Sequence, residues 1–198
     1  MTKDIREVVV DADFFRKVTE NDKNGVLFLK IISELRRTPV MHRYVYDYEL
    51  ADSATAKKLV RAGSIKIYSE SDYVADVGAY QMLFESVYQD MNYKQFVGDV
   101  LQYHHQKENL GEIRSSIMAF YKGIDLFMSD DKAAKSYVTK KLSNSHHRIG
   151  VYSIYDTLVQ IGQMGNGNIK WRDVKGMAKH ALDEQGYEEI REIWHSSE

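Results

Sequence analysis

The run Val8-Val9-Val10-Asp11-Ala12-Asp13 constrains the fold of this 198-residue chain more than any other stretch. Three β-branched residues in a row leave no polar face, so the run reads as a short strand buried on both sides. Strands of that kind belong to parallel sheets covered by helices, and ligands bind in the crevice beyond their carboxyl ends. Asp11 then stands at the end of the strand, with Asp13 just beyond it. Ile124-Asp125-Leu126-Phe127-Met128-Ser129-Asp130-Asp131 repeats the pattern more than a hundred residues later. Two such strands side by side bring several carboxylates together. Like charges so gathered cost stability unless a cation sits among them, and a hard divalent ion is the natural candidate.

The remaining periodicity supports an α/β chain. Leu27, Phe28, Ile31, Ile32 and Leu35 recur at helical spacing, and Pro39 is expected to end that helix. Residues 40–50 read as helix. Ala56, Leu59 and Val60 mark another helix, closed by Gly63, and Ile65 and Ile67 mark a short second strand. Tyr80, Leu83, Phe84, Val87, Tyr88 and Met91 form a helical stripe that reads as core packing, although aromatics at that spacing can also stack on bases. A further helix is expected over Phe96, Val97, Val100 and Leu101. Later come a helix after Gly111, a strand at Leu126–Met128, a helix over Ala134–Leu142, a strand at residues 151–154 and a helical tail through Trp171 and Trp194. Alternating strands and helices predict a three-layer α/β/α sandwich around a mostly parallel sheet. The whole chain, 1–198, reads as one domain, with a helical insertion at 72–108 and a helical C-terminal extension at 163–198.

Composition narrows the function. Cysteine is absent, which excludes thiolate metal sites and disulfides and makes a cytoplasmic setting the expectation. The N-terminus lacks the apolar core of a signal peptide, and no apolar run reaches bilayer length, so no membrane partner is expected. The formal net charge is −2, which gives no global footprint for nucleic acid but allows local basic rims. Three clusters stand out: Arg36, Arg37, His42 and Arg43; Lys57, Lys58 and Arg61; Lys132, Lys135, Lys140 and Lys141. Each also reads as a solvated helix face. His104-His105 and His146-His147 are adjacent pairs, poorly suited to chelation. Gly165-Asn166-Gly167 reads as a turn, since no Gly-Lys-Ser/Thr follows it.

Two more acids join the constellation. Glu112 in Leu110-Gly111-Glu112 opens a helix, where it also suits the helix dipole. Glu49 lies in the aromatic-rich Tyr46-Asp47-Tyr48-Glu49-Leu50.

Together these segments resemble the PIN domain. The shared features are an N-terminal strand ending Asp-x-Asp, an acid on an early helix, Leu110-Gly111-Glu112 opening a mid-chain helix, and an apolar strand followed by Ser129-Asp130-Asp131-Lys132-Ala133. The resemblance covers residues 5–68 and 108–162. It implies a metal-dependent ribonuclease using Mg²⁺ or Mn²⁺, with RNA as substrate and DNA as the alternative. Many relatives of that kind are toxins of toxin–antitoxin pairs, so an antitoxin or other protein partner is implied, and a homodimer is open. Carried over, the catalytic acids are Asp11, Glu49, Glu112 and Asp131, with Asp47 competing for the second position and Asp130 for the fourth. Metal ligands would come from Asp11, Glu112, Asp130 and Asp131, supported by Asp13 and Ser129. Arg114 and Lys132 are candidates for contacting substrate phosphates.

Two other readings fit part of the pattern. Asp11 and Asp13 suit the nucleophile and general acid of a haloacid-dehalogenase-type phosphatase, although that family's Gly-Asp-x-x-x-Asp motif is absent. A PIN-like module that only binds, with an unused acidic site and a protein interface on the 72–108 segment, is the non-enzymatic alternative.

Overall fold

A computed structural model describes residues 6–92, 94–104, 109–143, 147–165 and 167–196. Within them a five-stranded, all-parallel sheet has the order β3-β2-β1-β4-β5. The strands are β1 (Arg6–Val10), β2 (Arg37–His42), β3 (Lys66–Tyr68), β4 (Leu126–Met128) and β5 (Gly150–Tyr152). Helices α1 (Ala12–Thr19), α2 (Val26–Glu34), α3 (Ala54–Arg61), α4 (Val77–Asn92), α5 (Leu110–Tyr121), α6 (Lys132–Tyr137), α7 (Ile154–Met164), α8 (Trp171–Ala181) and α9 (Glu184–Ser196) surround it. This is the three-layer α/β/α sandwich that the alternating pattern predicts.

The two faces of the sheet feed two cores, as the period of two along a strand requires. Val8, Val10, Met41, Leu126 and Met128 point into one core with α1, α2, α7, α8 and α9. Val9, Val40, Phe127 and Val151 point into the other with α4, α5 and α6. The apolar run Val8–Val10 of β1 is thus explained: both of its faces are covered. Helices α8 and α9 contribute Trp171, Val174, Ile190 and Trp194 to the first core. Trp194 donates its indole N–H to the Leu158 carbonyl of α7 at 3.0 Å. The tail therefore completes a layer of the sandwich.

The structure differs from the sequence reading in two places. Pro39 does not follow a helix into more helix; it lies inside β2, paired with Val8 of β1. Pairing of β2 with β3 begins only at Val40, so β2 has a single neighbour at Pro39. A missing N–H is tolerated at such a local edge. Only the second half of the 40–50 stretch is helical, and it ends in a π-turn at Val45–Glu49. The second difference is at Phe96–Leu101, where turns replace the expected helix. Phe96 and Val100 are buried while Val97 and Leu101 are exposed, so side-chain anchoring into the α4–α5 core decides this segment. The expected aromatic stripe of α4 is core: Tyr80, Phe84, Val87 and Tyr88 are all buried. His105, His146 and Asn166, named in the sequence patterns above, lie outside the described residues.

Candidate functional site

The strand order reverses at β1. From it the chain builds outward to β2 and β3 on one side, then returns to β4 and β5 on the other. The crevice between the carboxyl ends of β1 and β4 is the switch point where ligands bind in open parallel sheets. Asp11 follows β1 directly and Ser129-Asp130-Asp131 follows β4 directly. The pairing of Val10 with Met128 and the 3.0 Å bond from Asp11 N–H to the Met128 carbonyl hold the two strand ends in register.

Asp11 is fully buried and caps α1, accepting the Ala12 N–H at 2.7 Å. Its other oxygen accepts a bond from the Ser129 hydroxyl at 3.2 Å. Ser129 in turn accepts the Asp131 N–H at 3.2 Å, which fixes the start of α6. Asp131 caps α6 through bonds from the Ala133 and Ala134 amides.

Two acids arrive from elsewhere. Glu49 ends the π-turn after β2, and Glu112 stands in the first turn of α5. The Glu49 carboxylate accepts the Gly111 N–H and lies so close to the Gly111 Cα that a Cβ there would collide with it. Glycine at 111 is what lets the two acidic elements meet.

The electrostatics define the group. Burial pushes the Asp11 carboxyl well up, and the charges of Glu112 and Glu49 push it further. Burial and Glu112 raise Glu49 to about 7, against partial relief from Arg16 and the Gly111 amide. Burial raises Glu112, relieved by its own backbone N–H and raised again by Asp131 and Asp13. Asp11, Glu49 and Glu112, drawn from three separate elements, therefore feel one another, and Glu112 also feels Asp131. Asp47, the competitor of Glu49, instead points to Arg43 at 3.8 Å on an exposed surface.

Asp130 is placed differently from Asp131. Its carboxylate accepts the Ile154 N–H at the start of α7 at 2.7 Å and pairs with Lys17 at 2.9 Å. Lys17 also pairs with Asp13 at 2.7 Å, so one ammonium of α1 bridges two acids at the rim. Arg16, beside it, donates to the Glu49 carbonyl and pairs with Asp52 at 3.5 Å. The sequence reading missed both cations. The signal was the i,i+4 spacing of Asp13 and Lys17 on a helix that begins at the first acid.

Arg114 corrects an expectation. It is 2% exposed, ion-paired with Glu70, bonded to the Val100 and Tyr103 carbonyls, and stacked against Tyr44 and Phe84. It is an internal counterion that holds the 94–104 segment, and it is not available to a surface phosphate. Lys132 is exposed, on the wall of a cleft of about 630 Å³ lined also by Lys17, Asp130, Asp131, Lys135 and Tyr155.

Among the described residues, no group of three or more His, Asp or Glu side chains stands close enough together to hold a metal ion in the present arrangement. The donor chemistry nevertheless suits a hard cation: a hydroxyl and carboxylate oxygens, the acids raised in pKa by burial first and by neighbouring carboxylates second. Mg²⁺ keeps several of its waters and needs only one or two direct carboxylates. Among the described residues no helix is long and apolar enough to cross a membrane. No protein-family model, curated protein or solved structure matches the chain.

Proposed function

We propose that this chain is a PIN-like nuclease that hydrolyses phosphodiester bonds of RNA, or of DNA, with Mg²⁺ or Mn²⁺. The observation that supports this reading is the charge coupling of Glu112 with Asp11, Glu49 and Asp131 around the ends of β1 and β4, where burial first and then a neighbouring carboxylate raises Asp11, Glu49 and Glu112. Repulsion of that kind is relieved by a divalent cation. Asp11 and Glu112 would hold the ion, with Glu49 and Asp131 acting on its water shell. When bound, the ion lowers the pKa of a water and stabilises charge on the phosphodiester. Ser129 fixes the rotamer of Asp11 through its hydroxyl. Lys17 offsets one of the two charges of Asp13 and Asp130, which lessens the repulsion a phosphate meets at the rim. Lys132, exposed on the cleft that Asp130 and Asp131 also line, would contact that phosphate.

The test is cleavage of mixed RNA and DNA substrates with Mg²⁺ or Mn²⁺, beside the Asp11→Ala/Asp131→Ala double variant. Cleavage by the wild type that the double variant loses supports the assignment. Cleavage that the double variant keeps sinks it. A binding-only module is the second reading, favoured by the spread of the acids: no three of the described side chains are gathered for direct ligation. Absent cleavage by the wild type, together with absent Mn²⁺ binding by calorimetry, would favour that reading. We propose an antitoxin or other protein partner, which the resemblance implies, and leave a homodimer open.

A further inference from the structure

Beside the acidic group lies an aromatic cluster that the mechanism above does not use. Tyr44, Tyr48 and His104 gather three rings. Tyr48 and His104 are stacked with centroids 4.5 Å apart and planes 28° apart. Tyr44 lies 5.0 Å from Tyr48 and 5.9 Å from His104, the latter at only 15°. The Tyr48 hydroxyl is 3.3 Å from His104 Nε2.

The three rings differ in exposure. Tyr44 is buried and carries the Arg114 guanidinium 5.4 Å from its centroid. It is the floor. Tyr48 is 43% exposed, and His104 is exposed as well. Each exposed ring packs against its neighbours with one part and meets solvent with the rest. Their position is specific. Tyr48 is the residue before Glu49, about 3.8 Å away from Cα to Cα. His104 is the last residue of the described segment 94–104. The exposed pair thus joins the π-turn that ends at Glu49 to the 94–104 segment. Arg16, half exposed, donates to the Glu49 carbonyl on the same stretch.

We infer that Tyr48 and His104 form a platform on which an unpaired nucleobase stacks, next to the phosphate held at the acidic site. The inference rests on the nuclease reading and adds a base-contacting surface to it. Every base presents a π-face, so such a platform binds without strong sequence preference, and a base held inside a duplex cannot reach it. Arg16 supplies a cation for the neighbouring backbone. Tyr48 and His104 are positioning residues here, since neither touches the reacting phosphorus.

The test measures binding in a full-length Asp11→Asn background, which silences cleavage. Fluorescence anisotropy would follow a labelled single-stranded oligoadenylate, an abasic oligomer of the same backbone, and the corresponding duplex. Tyr48→Ala and His104→Ala are each expected to weaken oligoadenylate binding about tenfold, while Tyr48→Phe keeps it and abasic binding stays unchanged. Thermal unfolding checks each variant, and the exposed His104→Ala serves if Tyr48→Ala fails to fold. Equal loss on the abasic oligomer, or no loss on oligoadenylate, overturns the platform. If the background protein binds no oligonucleotide, the nuclease reading falls and takes the platform with it. If it binds oligoadenylate, and wild-type cleavage survives both alanine variants with unchanged KM, the platform alone falls.

Discussion

The Ser129 hydroxyl donates to Asp11 at 3.2 Å and accepts the Asp131 N–H at the same distance. One small side chain therefore ties the acid after β1 to the acid after β4. Asp11 has no solvent to fall back on, so its carboxylate relies on this bond and on the Ala12 N–H.

Ser129→Ala should leave a buried carboxylate short of a partner and cost about 1–3 kcal/mol. Denaturant unfolding would read that loss, and calorimetry should show weaker Mn²⁺ binding. Unchanged stability and unchanged Mn²⁺ affinity together would show that the hydroxyl is dispensable.

Glu49 gives a pH dependence with a definite sign. Its carboxyl titrates at about 7 in the fold, against 4.5 ordinarily. Between those values the folded chain holds a proton that the unfolded chain has lost, so stability without metal falls as pH rises through that window. The size is about 3 kcal/mol at most. Glu49→Gln should flatten this part of the profile. Buried His42 acts in the opposite direction: burial, with the Arg114 and Arg43 charges, lowers it to about 3, so its contribution is lost as pH falls below about 6.5. Thermal melts from pH 4 to 8, with and without Glu49→Gln, would separate the two. Added Mn²⁺ should raise the melting temperature more at high pH than at low pH, because it competes with protons for the same carboxylates. A Mn²⁺ effect equal at both ends would argue against these acids as its ligands.

Gly111→Ala puts a methyl group into the Glu49 carboxylate. Alanine's helix propensity, worth up to about 1 kcal/mol, works against the clash, so the net stability change is small or a loss of about 1–2 kcal/mol. Displacement of Glu49 makes the functional effect larger: cleavage should fall at least tenfold while the fold survives. Circular dichroism beside the nuclease assay checks both halves. Full activity in a folded Gly111→Ala would show that the close approach of Glu49 is unimportant.

Arg114→Met removes the partner of Glu70 and the donor to the Val100 and Tyr103 carbonyls. Loss of one member of a buried pair costs about 3–5 kcal/mol. Arg114→Lys should recover only part of it, since an ammonium cannot replace the planar fork. A loss below about 1 kcal/mol in denaturant unfolding would contradict the internal-counterion role.

Much of this was legible from local pattern. The all-apolar Val8-Val9-Val10 announced a strand covered on both faces, and both faces are covered. Asp11, Glu112 and Asp131 were readable as a group because each sits at an element's end, where caps and dipoles favour acids. Pro39 misled, because a proline's meaning in a strand depends on how far the neighbouring strand extends. Phe96–Leu101 misled because anchoring into a core overrides helical spacing.

The sequence by itself determined the alternation of strands and helices and the acids at the ends of β1 and β4. These follow from side-chain period and capping, which act over a few residues. Only the tertiary structure decided that Glu49 and not Asp47 faces Asp11, that Asp130 is tied to Lys17 and α7, and that Arg114 lies inside. Those outcomes depend on burial and on charges brought together from distant segments. Neither quantity exists until the sheet and its two helical layers have closed.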